Sequence, residues 1–188
     1  MQQNPRTAPD LPRHVLWLAV LVAASVGFSF GFACAVPFAA FGAATALTLN
    51  TRDALLLTIA LWLVNQIIGF AFLGYPWDGI ALLWGIVLGV VALLSTGAAR
   101  IVTTRLASSP QSVTLIASFV AAFITYEGSL YIVSATWLGG TDYYAVSTVA
   151  HIAGLNTLAF VGLLILDRLG RMLRLIAPPS VMATPRHA

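Results

Sequence analysis

Long apolar runs broken by short polar punctuation set the pattern of this chain. Between His14 and Leu49 no acidic or basic side chain follows His14. That stretch is too long for one ordinary membrane span and tight for two. Pro37, Gly27 and Gly31 offer places to break it. The pattern predicts a first helix from about His14 to Phe32 and a second, short or partly re-entrant, from about Cys34 to Leu49. Asn50-Thr51-Arg52-Asp53 reads as a loop. A third helix is predicted from about Ala54 to Leu73, ended by the turn Gly74-Tyr75-Pro76-Trp77-Asp78-Gly79. A fourth runs from about Ile80 to Ala98, and a polar connector from Arg100 to Gln111 follows. A fifth runs from about Ser112 to Ser134, and a sixth from about Ala145 to Leu166, closed by Arg168, Arg171 and Arg174. The loop between them, Trp137 to Tyr144, is polar and aromatic.

Composition turns this pattern into a membrane protein. The chain is 60% hydrophobic and 8% charged, with a mean hydropathy of +0.94. A soluble domain of this size needs a charged surface that these residues cannot supply. Apolar runs of about 20 residues span a hydrocarbon core of ~30 Å. The expected fold is therefore all-α, a polytopic six-helix transmembrane bundle with both termini cytoplasmic. Residues 14–176 form the membrane domain, 1–13 a cytoplasmic tail, and 177–188 a flexible cytoplasmic tail. The expected location is the inner (cytoplasmic) membrane, multi-pass, with the lipid bilayer as solvent. The first apolar run ends in no obvious cleavage site and reads as a retained helix.

Charge orients the bundle. All nine basic residues are arginines. With six spans and a cytoplasmic N-terminus, all of them (Arg6, Arg13, Arg52, Arg100, Arg105, Arg168, Arg171, Arg174 and Arg186) fall on one side. Asp78 and Asp142 fall on the other. That is the positive-inside pattern. A single span over His14–Leu49 would put the N-terminal arginines opposite the rest. The arginines are scattered without interleaved aromatics, so nucleic acid is not an expected partner.

Polar groups inside the spans need partners or a cavity. Asn65 and Gln66 lie near the middle of the third helix. Asn65 shares a face with Gly69, and Gln66 with Trp62 and Phe70. Each amide makes either an interhelical hydrogen bond or a ligand contact. Glu127 is the only acidic side chain inside a predicted span, and Phe123, Glu127, Tyr131 and Ser134 fall on one face. His151, with Ser147 one turn before it, lies at similar depth in the sixth helix, as does Trp84 in the fourth. An ionised carboxylate facing lipid is expensive. Glu127 and His151 are therefore expected to face inward, close enough to pair. The functional reading is an outward-opening pocket holding a small-molecule ligand. Trp84, Glu127, Tyr131, His151, Asn65 and Gln66 line it, and Trp77, Asp78, Trp137, Asp142 and Tyr143 stand at its rim. The structural reading is a buried Glu–His contact between helices five and six, with the rim aromatics forming an interfacial belt.

Enzyme motifs are absent: no HExxH, no GxSxG, no Walker A and no paired histidines. An enzyme is not expected, nor is a cofactor. Cys34 is alone, which excludes an intrachain disulfide and a cysteine metal cage. It reads as a small hydrophobe, with ligation of a metal such as cobalt as the alternative.

Small residues at spacing four allow helices to approach closely. Ala19-x-x-x-Ala23 and Gly27-x-x-x-Gly31 lie in the first helix, Ala35, Ala39 and Ala43 in the second, and Gly85-x-x-x-Gly89 in the fourth. These alanines, the short small-residue second helix (Val36–Leu49) and a sixth helix carrying Asn156 and ending in arginines resemble the substrate-binding S components of energy-coupling factor (ECF) vitamin transporters. The resemblance implies a six-helix protein that binds a vitamin or its precursor near the outer side, between helices four to six and the loop after helix one. It also implies docking through Ala19 and Ala23 to a membrane coupling protein with ATPase subunits. Here the loop after helix one is nearly absent, a departure from that arrangement. The rival reading is a non-transporting accessory or assembly protein, packed solid against partner helices. An ion-coupled carrier would need an inverted repeat, and no convincing internal repeat is visible.

Overall fold

A helix of 11 residues, α2 (Phe38–Thr48), fills the centre of the molecule. The computed structural model describes residues 11–31 and 36–173. Around α2 stand α1 (Leu11–Gly31), α3 (Thr51–Ala71), α4 (Gly79–Arg105), α5 (Gln111–Val133) and α6 (Val146–Met172). The described residues are all-helical, without strands. Helix α5 runs on into a π-helical turn, Ser134–Leu138, and a 3₁₀ turn, Thr141–Tyr144, leads into α6. Cys34, Ala35, residues 1–10 and 174–188, and the side chains of Arg13, His14 and Tyr143 lie outside the described set.

Four helical stretches are long and apolar enough to cross a membrane: Thr51–Ala71, Gly79–Arg105, Gln111–Leu138 and Val146–Met172. The chain is thus a multi-pass membrane protein by length and composition. The apolar stretches Val15–Phe28 and Phe38–Thr48 are shorter. At 1.5 Å per residue α2 is ~16 Å long, about half of a ~30 Å hydrocarbon core. The second helix is short, as its sequence suggests, and the structure shows why it can be so apolar. Every residue from Phe38 to Ala46 is buried, packed among α3, α4, α5 and α6. Pro37 stands at its N-cap position.

Small residues set the closest approaches. A Cβ at Gly42 of α2 would lie 2.9 Å from Thr96 Oγ1 and 3.3 Å from Thr96 Cα. Thr96 in turn donates to Ala92 O at 3.0 Å, and its hydroxyl lies 3.0 Å from that of Thr58 on α3. Gly85 and Gly89 receive α3: Trp62 Nε1 donates to Gly85 O at 2.7 Å, and its ring covers Gly89. The hydroxyl of Ser95 donates to Ala122 O at 2.9 Å, tying α4 to α5. These are the interhelical bonds that small and hydroxyl residues supply in a bilayer. Helix α1 packs on α3 with Trp17, Leu21 and Ser25 buried, and Val15, Leu16, Ala19, Ala23 and Gly27 exposed.

Three boundaries move, the first of them through a cap. Asn50 Oδ1 accepts from Asp53 N at 3.0 Å and its Nδ2 donates to Asp53 Oδ2 at 2.7 Å. This reciprocal cap starts α3 at Thr51, inside the predicted loop. At the far end, α4 continues to Arg105 and absorbs much of the predicted polar connector. Arg100 then reaches α2, its Nη1 donating to Ala46 O at 2.8 Å and Leu49 O at 2.9 Å. Helix α6 continues past Leu166 and takes in Asp167, so Glu127 is not the only acid in a long apolar helix. Asp167 is buried and held by Arg171, with Nε–Oδ2 at 2.9 Å and Nη2–Oδ1 at 3.2 Å.

Candidate ligand cavity

The two ends of the bundle differ in charge. Arg52, at the start of α3, shares an end with Arg100 and Arg105 of α4 and with Arg168 and Arg171 of α6. The opposite end carries Trp77, Asp78 and the 3₁₀ turn before α6.

A cavity of about 900 Å³ opens toward that second end, framed by α4, α5, the two turns after α5, and α6. It exists because α5 and α6 touch only sparsely and because α2 is too short to fill the space beyond its own N-terminus. Val36, just before α2, lines the cavity. Trp84 comes from α4; Tyr126, Glu127, Leu130 and Ser134 come from successive turns of α5 and its π-turn. Thr148, Ile152, Leu155 and Asn156 come from α6, and Tyr144 from the 3₁₀ turn. Gly139 (φ 73°) and Gly140 (φ 94°) also border it, and these left-handed backbones fold the loop back toward the cavity.

Glu127 is half-buried and is the one charged residue on this wall. Tyr126 beside it is buried and packs its ring on Phe38 of α2, centroids 6.1 Å apart. Tyr144 stands on the same wall as Ser134 and Glu127. Burial raises the Tyr144 phenol above its ordinary pKa; the Ser134 hydroxyl opposes this and the nearby Glu127 adds to it. The phenol is therefore neutral at physiological pH. Asn156 closes the floor. Its Oδ1 accepts from Ala40 N at 3.2 Å and its Nδ2 donates to Ile152 O at 3.1 Å.

Of the residues that the sequence assigns to the pocket, Trp84 and Glu127 meet here. His151 does not: it is exposed, and no ion pair joins it to Glu127. The α6 residues on the cavity are Thr148, Ile152, Leu155 and Asn156, a face about a quarter turn from His151 at ~100° per residue. Tyr131 is displaced similarly on α5. It is exposed and meets Tyr144 edge-on at 5.2 Å, behind the cavity wall. Trp77 and Trp137 project outward, 76% and 82% exposed, and neither lines the cavity. Trp77 rests on Phe70, centroids 4.8 Å apart. Asp78 is the N-cap of α4, its Oδ1 accepting from Ala81 N at 2.8 Å, and its carboxylate is used there and not at the cavity. Asn65 is buried and Gln66 lies against Gly85 in the α3–α4 seam; neither reaches the cavity.

Tyr126, Tyr144 and Asn156 are the lining residues that a search for charged and singular groups passes over. Tyr126 had a signal in its position next to Glu127. Asn156 had one as an amide inside an apolar helix. For Tyr144 the signal was the aromatic loop, within which the sequence does not choose among neighbouring rings.

A second cavity, of about 940 Å³, lies at the arginine end against Leu47 and Thr48 of α2. Thr103, Gln111, Asp167, Arg168 and Arg171 are among its walls. Helix α2 therefore stands between two cavities, one at each end. No protein family, curated protein or solved structure matches the chain.

Proposed function

We propose that the chain is a membrane-embedded substrate-binding and translocating subunit for a small ring-containing nutrient such as a vitamin, similar in plan to the S components of ECF transporters. The carrying observation is the cavity of about 900 Å³ whose walls combine three aromatic side chains, Trp84, Tyr126 and Tyr144, with Glu127, Ser134, Thr148 and Asn156. Its size and its mostly apolar lining with a few placed polar groups suit a small molecule. The gathering of the described arginines at the other end supports an orientation with the cavity on the outer side of the inner membrane and both termini in the cytoplasm.

The exposed side of α1 bears on energy coupling. Ala19 and Ala23 lie on its outward face, where a membrane coupling protein with ATPase subunits would dock. A solid-packed accessory protein would have no use for a cavity of this kind, and the cavity counts against that reading.

The test is purification of the full-length protein in nanodiscs, followed by native mass spectrometry and absorbance of what co-purifies. A ring-bearing small molecule released on denaturation is the expected result. It should be lost, or its retention cut severalfold, on Trp84→Ala. A clean apoprotein that no member of a vitamin library stabilises against heat overturns the proposal.

A further inference from the structure

We infer that the cavity selects a cation: a ring compound bearing a protonated or quaternary nitrogen that sits against Glu127. This rests on the reading of the cavity as a ligand site and adds the charge of its occupant. Glu127 is its only ionic group; no Arg, Lys or His stands among the described lining residues. The described arginines are at the opposite end, and His151 is turned away. No described side chain forms an ion pair with Glu127; the ion pair within α6 joins Asp167 to Arg171. A carboxylate in a low-dielectric cleft without a counter-charge is costly, and a cationic ligand supplies the missing partner.

The rest of the wall agrees. Aromatic faces attract cations through the ring quadrupole, and Trp84, Tyr126 and Tyr144 line the same cavity as Glu127. Two helix N-terminal ends stand beside the cavity, those of α2 and α6, where backbone N–H groups and the helix dipole present partial positive charge. At α2 one of these groups is taken, the Ala40 N–H by Asn156 Oδ1, and neither end carries a full charge. An anionic ligand would meet Glu127 with only these partial charges to offset it.

The experiment uses the full-length protein in nanodiscs and three matched probes. Phenethylamine is cationic, phenethyl alcohol neutral and 3-phenylpropionate anionic. Binding is read by native mass spectrometry and by thermal shift. The expected order is amine above alcohol, with the acid weakest, and the amine favoured by about tenfold or more over the alcohol, the scale of one charge-assisted contact. Glu127→Gln should erase the preference for the amine while leaving alcohol binding within about twofold. His151→Ala should leave the order unchanged. If the alcohol or the acid binds as well as the amine, or if Glu127→Gln keeps the preference, the inference is wrong while the ligand site stands. If none of the three binds, the cavity is not such a site and the inference falls with it. Should Glu127→Gln not fold, the order of the three probes on the unaltered protein decides.

Discussion

Asn156 on α6 accepts a hydrogen bond from the backbone of Ala40 on α2, 3.2 Å away and 116 residues earlier in the chain. The same amide donates to Ile152 O, so both ends of this buried side chain are engaged. Asn156→Ala leaves the Ala40 N–H without a partner in an apolar interior. The expected loss is about 1–2 kcal/mol of stability, read as a lower midpoint of thermal unfolding in detergent. An unchanged midpoint would show that the contact carries no net energy.

Gly42 of α2 lies close against Thr96 of α4. A valine there would drive its side chain into the backbone of Thr96, which lies 3.3 Å from the added Cβ at both Cα and N. Gly42→Val should cost about 1–3 kcal/mol through overpacking. Gly162→Ala is the control, since nothing lies within 4 Å of its added Cβ. It should be neutral or slightly stabilising, because alanine favours helix by up to ~1 kcal/mol over glycine. Equal midpoints for the two variants would contradict the close approach.

Arg100 ends α2 from outside. One guanidinium nitrogen binds the carbonyls of Ala46 and Leu49, acceptors that the helix itself leaves unpaired. Arg100→Met keeps much of the apolar stem and removes both bonds. It should cost about 2–3 kcal/mol, the scale of bonds to a charged group. Arg100→Lys should recover part of this, because an ammonium can reach a carbonyl without the planar fork. Paired unfolding curves for the two variants check the order.

Asp78 separates a cap from a ligand contact. As the N-cap of α4, its replacement by alanine should cost about 1 kcal/mol of stability and leave probe binding at Glu127 unchanged. Weaker binding with unchanged stability would return Asp78 to the rim of the cavity.

Helix number, the short second helix and the clustering of arginines were legible because they rest on composition and on Pro37, signals local to each segment. The depth of Trp84 and Glu127 was legible too, since depth follows from counting residues at a fixed rise. Rotation about the helix axis was not. His151 and Tyr131 sit at the right depth but about a quarter turn off the cavity face, because the direction of a face depends on which neighbours pack, and α5 and α6 scarcely touch each other. The caps misled for a related reason. Asn50 and Asp78 look like loop polarity in the sequence, and only the backbone N–H groups of Asp53 and Ala81 reveal them as helix starts.

The shortness of α2 has an electrical consequence. Water in the two cavities would carry the potential of each bulk phase to either end of this helix. A membrane voltage would then fall across ~16 Å of packed side chains in place of ~30 Å of hydrocarbon, roughly doubling the local field. A unit charge carried past α2 gains or loses about 2.3 kcal/mol per 100 mV. With the cavity facing outward, an inside-negative voltage would draw a cation from Glu127 toward the arginine end. On the proposed function, voltage itself would then contribute to the direction of transport.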